Sequence, residues 1–138
     1  MSKIPSLLFA CIENSCRSQI AAGFAREIGK DKVTVFSAGS KPAGYVNPQA
    51  IKVMSEIGID LSNAKSKGFY DLPKNEFDYV VTLGCKDKCP YVPAIKNINW
   101  DIPDPKAKDP SFFYAVRDII KEKVTDLINE IERQTKSK

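Results

Sequence analysis

The sequence predicts an α/β fold: one three-layer domain over residues 1–138, with a four-stranded parallel sheet in the order 2-1-3-4 and helices on both faces. Two observations carry this. Short apolar runs alternate with stretches whose apolar residues recur every three or four positions. Glycine, proline and asparagine punctuate the joins between them. The length of 138 residues suits one domain, and right-handed crossovers favour a doubly wound strand order.

Leu7-Leu8-Phe9-Ala10 reads as a buried first strand. In the stretch 18–28, Ile20, Ala21, Phe24, Ala25 and Ile28 repeat at helical spacing, and Gly29 suits the end of that helix. Val33-Thr34-Val35-Phe36 is the second strand, closing on Ser37-Ala38-Gly39. Asn47-Pro48 opens a second helix with Ala50, Ile51, Met54 and Ile57 on one face and Gly58 at its end. Phe77 to Leu83 is the third strand, followed by Gly84, and Ala94 to Trp100 the fourth. Phe113, Val116, Ile120, Val124, Leu127 and Ile131 form the apolar stripe of a last helix docked on the sheet.

Composition narrows the function. Apolar residues make up 43% and charged residues 28%, a globular balance. No apolar run is long enough to span a bilayer, and Met1 to Pro5 lacks the pattern of a signal peptide, so a cytoplasmic protein without membrane contact is expected. The net charge of +4 is mild. No basic run is interleaved with aromatics, which argues against nucleic-acid binding, while a slightly positive molecule attracts a small oxyanion. There is no histidine, which removes Cys-His pairs, Ser-His-Asp triads and His-containing zinc sites. Four cysteines remain, Cys11, Cys16, Cys85 and Cys89, and in a reducing compartment their expected roles are catalytic, redox, metal-binding or simple burial.

Cys11-Ile12-Glu13-Asn14-Ser15-Cys16-Arg17-Ser18 lies between the first strand and the first helix. A turn of this kind aims backbone N–H groups at one point, with the helix dipole behind them, and so favours a tetrahedral oxyanion. Arg17 adds a forked charged contact. Asn14 tolerates a left-handed backbone. The same field favours a thiolate on Cys11, and the Ser18 hydroxyl is a candidate donor to its sulfur. Cys16, at the start of the helix, is expected to be structural, and Glu13 to point to solvent. In a 2-1-3-4 sheet, the ends of strands one and three flank the switch point where ligands bind. Adjacent strands lie about 4.8 Å apart, so Cys11 and Cys85, one after each strand, meet on one edge.

The segment Cys11 to Gln19 resembles the loop of thioredoxin-coupled arsenate reductases, which share the low-molecular-weight protein tyrosine phosphatase fold. The resemblance extends through Ser37-Ala38-Gly39, Asn47-Pro48-Gln49-Ala50, Val80-Val81-Thr82-Leu83, Cys89-Pro90 and Asp104-Pro105. It implies that Cys11 attacks arsenate, that Arg17 holds its oxygens and that Asp104 protonates the departing oxygen, with Asp101 as a rival acid. It further implies that Cys85 attacks the arsenylated Cys11, that Cys89 then takes the disulfide to Cys85–Cys89, and that thioredoxin reduces it. No cofactor is implied, a monomer is expected, and phosphate or sulfate competes for the loop.

Gln19 stands where the phosphatases usually carry proline, and Lys106 where they usually carry tyrosine. Both point to the reductase side. Two further positions depart from the reductases. Only three residues separate Cys85 from Cys89, and Gly84 intervenes before Cys85. Pro90 biases Cys89 away from helical geometry, and Lys86 and Lys88 favour thiolates on both neighbours. Where some relatives use acidic residues to bind a cation, this chain has Ala22 and Lys67, so the Lys67 ammonium is expected to take the cation's place and steady Asn14 through Ser37. Three rivals stay open: a phosphatase acting on phosphotyrosine or small esters, a redox-sensing or anion-binding protein without turnover, and, for Cys85 and Cys89, incidental thiols or a zinc ligand pair.

Overall fold

The computed structural model describes residues 4–84, 91–105 and 109–136. Strands β1 (Ser6–Cys11), β2 (Thr34–Gly39), β3 (Phe77–Leu83) and β4 (Ala94–Trp100) form one parallel sheet in the order β2-β1-β3-β4, as expected from the alternating pattern. β1 is central, with Cys11 opposite Gly39 of β2 and Ala10 opposite Thr82 of β3. Its six residues are all buried, which explains a run without polar alternation.

Helices α1 (Arg17–Ile28), α2 (Pro48–Ser55) and α3 (Phe112–Lys136) follow the apolar stripes of the sequence. All three contribute to one large core with Leu7, Phe9, Val81, Leu83 and Trp100. Each fully buried side chain of this size stabilises the fold by about 1.5–3 kcal/mol. The stripe of α3 is buried throughout, from Phe113 to Ile131. The opposite face of the sheet carries a smaller cluster of Leu8, Ala38, Phe77, Val80 and Val92, covered by Phe69 and Leu72. Among the described residues, the helix on that face is a single 3-10 turn at Phe69–Asp71.

Two boundary details differ from expectation. α2 stops at Ser55, and Ile57 is exposed. The amides of Ile57 and Gly58 bond to the carbonyls of Met54 and Ser55, a 3-10 tightening that turns Ile57 off the buried face. Gly29 does follow α1, but its φ of −97° needs no glycine. Space does: a Cβ there would lie 2.8 Å from the Ala25 carbonyl oxygen.

Candidate functional site

The loop between β1 and α1 is held by its carbonyls. The carbonyls of Cys11, Ile12 and Glu13 accept from the amides of Ser40, Lys41 and Ala43, at 3.3, 2.7 and 3.0 Å. The Asn14 carbonyl accepts from Gln19 Nε2 at 3.1 Å. Those of Ser15 and Cys16 accept from the amides of Asn47 and Ile20, at 3.0 and 2.9 Å. A peptide unit is planar, with its C=O and the following N–H pointing in opposite directions. Carbonyls anchored outwards therefore turn the amides that follow them inwards, towards the cavity.

That cavity is lined by Cys11, Ile12, Glu13, Ser15, Cys16, Arg17 and Asp104. Its volume among the described residues is about 70 Å³. A cavity of that size suits a small tetrahedral anion.

Asn14 organises the loop from behind. Its φ of 50° is left-handed, which asparagine tolerates better than most residues. Its side chain is fully buried. Nδ2 donates to Ser18 Oγ at 2.7 Å, and Ser18 Oγ lies 2.9 Å from Cys11 Sγ. With its oxygen already accepting from Asn14, the Ser18 hydroxyl is free to donate its proton to Cys11 Sγ. On its other side, Asn14 Oδ1 accepts from Gln19 Nε2 at 3.0 Å and from the Lys67 amide at 2.9 Å. Gln19 Nε2 also donates to the Lys65 carbonyl at 2.9 Å.

Arg17 is nearly buried, with 6% of its surface exposed. Nη1 donates to the Ile102 carbonyl at 2.9 Å, and Nη2 lies 3.7 Å from Asp104 Oδ2. Asp104 is half exposed, so this pair is screened and contributes little to stability. It does place a carboxyl group at the cavity wall. Asp101, the rival acid, is exposed and does not line the cavity.

The Cys16 thiol is pushed up to about 12, by burial first, with Asp104 and Cys11 adding to it against the Ser15 hydrogen bond and Arg17. It stays protonated at neutral pH, in keeping with a structural role.

Glu13 is partly buried and lines the cavity. One expectation needs correction. Lys67 steadies Asn14 through its backbone amide and not through its ammonium. Ser37 Oγ is buried without a hydrogen-bond partner among the described residues, so it does not relay that support. The amide explains the difference: it sits in the chain segment that pairs with the β2 end, where the Gly39 amide donates to the Lys67 carbonyl at 2.9 Å.

Three contributors escaped the sequence reading. A Cβ on Gly39 would lie 2.6 Å from the Ile12 carbonyl oxygen and 2.7 Å from the Asn14 nitrogen. Gly84 has a φ of +81°, and a Cβ there would run into the Arg17 guanidinium and lie 2.9 Å from the Ile102 carbonyl oxygen. Gln19 shows in the sequence only as a departure from proline, without its hydrogen bonds. Cys85, Cys89, Lys86, Lys88, Pro90 and Lys106 lie outside the described residues.

Residues 6–137 match the family described as low molecular weight phosphotyrosine protein phosphatase. Arsenate reductase 1 of Staphylococcus epidermidis is 47% identical over 126 residues, covering 84% of this chain and 89% of that protein. An arsenate reductase solved in a phosphate-binding state superposes with a TM-score of 0.81 at 34% identity, over 92% of this chain and 98% of that one. The thioredoxin-dependent arsenate reductase of Corynebacterium glutamicum superposes with a TM-score of 0.81 at 29% identity, over 96% of this chain and 64% of that one.

Proposed function

The chain belongs to the low molecular weight phosphotyrosine protein phosphatase family, and within it we propose that this protein reduces arsenate to arsenite through a three-cysteine relay fed by thioredoxin. The observation that carries the relay is the position of Gly84. The residue directly before Cys85 backs onto the guanidinium of Arg17, at the wall of the Cys11 cavity. β3 therefore ends beside a side chain of the cavity wall, which supports a role there for the thiol that follows. Similarity to arsenate reductases supports the substrate, and similarity to a thioredoxin-dependent one supports the electron donor.

The steps balance as follows. The Cys11 thiolate attacks arsenic in arsenate held by the loop amides and Arg17. One arsenic oxygen leaves as water, its final proton supplied by Asp104, which must be protonated to donate. Cys85 then attacks Cys11 Sγ as a thiolate. The S–As bond breaks with its electron pair going to arsenic, so arsenic becomes trivalent and the two sulfurs become a disulfide. Cys89 attacks Cys85, restores the Cys11 thiolate and leaves Cys85–Cys89. The thioredoxin dithiol reduces that bond. No cofactor takes part in this scheme.

Gln19 favours this reading over phosphate-ester hydrolysis. Proline, usual there in the phosphatases, has no side-chain donor, and the three bonds from Nε2 to Asn14 and Lys65 would be lost. Phosphate, as a tetrahedral anion of the same charge, competes with arsenate for the loop.

The test compares arsenite release, with thioredoxin, thioredoxin reductase and a nicotinamide donor, against hydrolysis of an aryl phosphate. Arsenite release that is lost in Cys85→Ser and in Cys89→Ser supports the relay. Aryl phosphate turnover without arsenite release would replace it with the phosphatase reading. Oxidation of the thiols without turnover of either substrate would favour a sensor. Replacing thioredoxin with glutathione and glutaredoxin identifies the donor.

A further inference from the structure

A second concavity lies against the same helix that follows the loop. Its volume is about 700 Å³, within the usual range for small-molecule sites. α1 lines it with Gln19, Gly23, Arg26 and Glu27, whose spacing of three and four sets the first three along one helix face, and Lys30 adds to the wall just past the helix end. The segment 58–67 forms the opposite wall. Gly23 lets the two walls approach, since a Cβ there would lie 3.1 Å from Leu61 Cδ2 and 3.3 Å from Ile59 Cγ2.

The charges in this cleft are unbalanced. Arg26, Lys30, Lys65 and Lys67 face Glu27 and Asp60. Among the described residues, none of these four cations makes an ion pair or a side-chain hydrogen bond. Asp60 is engaged in its own turn, where its carboxylate accepts from the Ser62 amide at 2.8 Å. Partial burial pulls the Lys67 ammonium below its usual range, and the charge of Arg26 beside it pulls it further, partly offset by Asp71. Neighbouring positive charges that outnumber the carboxylates beside them repel one another, and a bound anion relieves that repulsion. Arg26 offers the planar fork that matches a phosphate, and the lysines add point charges.

We propose that this cleft is a second anion site, which takes the phosphate of a phosphorylated small molecule between Arg26, Lys65 and Lys67. It is distinct from the oxyanion loop and does not depend on arsenate being the substrate. The two sites share a support. The Lys65 carbonyl and the Lys67 amide anchor Gln19 and Asn14, so an occupant that orders Lys65 and Lys67 also steadies the back of the loop.

The experiment is a titration of the ¹⁵N-labelled full chain with inorganic phosphate at constant ionic strength. Amide signals of Arg26, Asn63 and Lys65 report the cleft, and those of Ser15 to Arg17 report the loop. The expected result is two saturating responses with separate midpoints. Arg17→Ala abolishes the loop response and leaves that of the cleft. The double variant Arg26→Gln/Lys67→Gln raises the cleft midpoint at least tenfold. The proposal is overturned if the cleft signals follow the loop midpoint and vanish in Arg17→Ala. A linear, unsaturating response overturns it too, as does a wild-type cleft midpoint in the double variant. Should Arg17→Ala not fold, the double variant alone decides.

Discussion

β1 and β3 lie side by side and end at the same edge of the sheet, but the chain leaves them differently. After β1, every carbonyl from Cys11 to Cys16 is tied to a donor, most of them from segments far along the chain. After β3, a single left-handed glycine, Gly84, backs onto Arg17, and Cys85 follows. The first arrangement ties the loop down at many points, which suits a site for a small anion, because its amides must converge before the ligand arrives. The second brings a chain end up to the cavity wall, which suits a thiol that must reach Cys11 and then pass a disulfide on. Residues four apart on a helix have β-carbons about 5–6 Å apart, whereas a disulfide holds them about 3.8 Å apart. The proposed Cys85–Cys89 bond therefore excludes a regular helical turn at that stage.

Substitutions on the two sides should separate these roles. Cys11→Ser, on the loop side, should lower arsenate turnover by about 10⁴-fold or more, as loss of a nucleophile does. It should leave phosphate binding within a few-fold, measured by calorimetry. Gly84→Ala, on the β3 side, forces a methyl against the Arg17 guanidinium at a positive φ. Such backbone strain costs about 1–3 kcal/mol. Both phosphate affinity and turnover should fall, and a denaturant melt should record the loss of stability. If Gly84→Ala slowed turnover without touching phosphate affinity, Gly84 would serve the thiols alone.

Removing Ser18 Oγ with Ser18→Ala takes away the hydroxyl that lies 2.9 Å from Cys11 Sγ, a hydrogen bond of about 0.5–1.5 kcal/mol. Iodoacetamide should then alkylate Cys11 about tenfold more slowly at neutral pH, while stability changes less. Gln19→Ala removes the tether of Asn14 to the Lys65 segment. The expected outcome is a raised KM for arsenate with a smaller change in kcat, because the loop is loosened but its chemistry remains. The smallest effect belongs to Cys16. Its thiol lies at about 12, so mass spectrometry after brief alkylation at neutral pH should find the label on Cys11 and none on Cys16.

Strand order, the buried stripe of α3 and the loop between β1 and α1 were legible because they rest on periodicity and on side chains with distinctive chemistry. Cys11, Asn14, Arg17, Ser18 and Asp104 gather as read. What escaped was backbone work. The amides of Ser40, Lys41, Ala43 and Asn47 hold the loop carbonyls, and an amide donor leaves no mark in a side-chain pattern. Lys67 illustrates the same limit, since its identity drew attention to the ammonium while its N–H does the bonding. Gly39 and Gly84 matter for the close approach of other groups, which only three-dimensional packing reveals. Ile57 misled because a helical period continued past the point where 3-10 bonds had ended the helix.

The most direct test of the three-thiol account is to mix the reduced protein with arsenate for one turnover, without any reductant, trap with acid and an alkylating agent, and map disulfides by mass spectrometry. The account predicts Cys85–Cys89 in wild type, Cys11–Cys85 accumulating in Cys89→Ser, and one arsenite released per disulfide. Arsenite release with Cys85 still reduced, or a bond joining Cys11 to Cys16 instead, would contradict it.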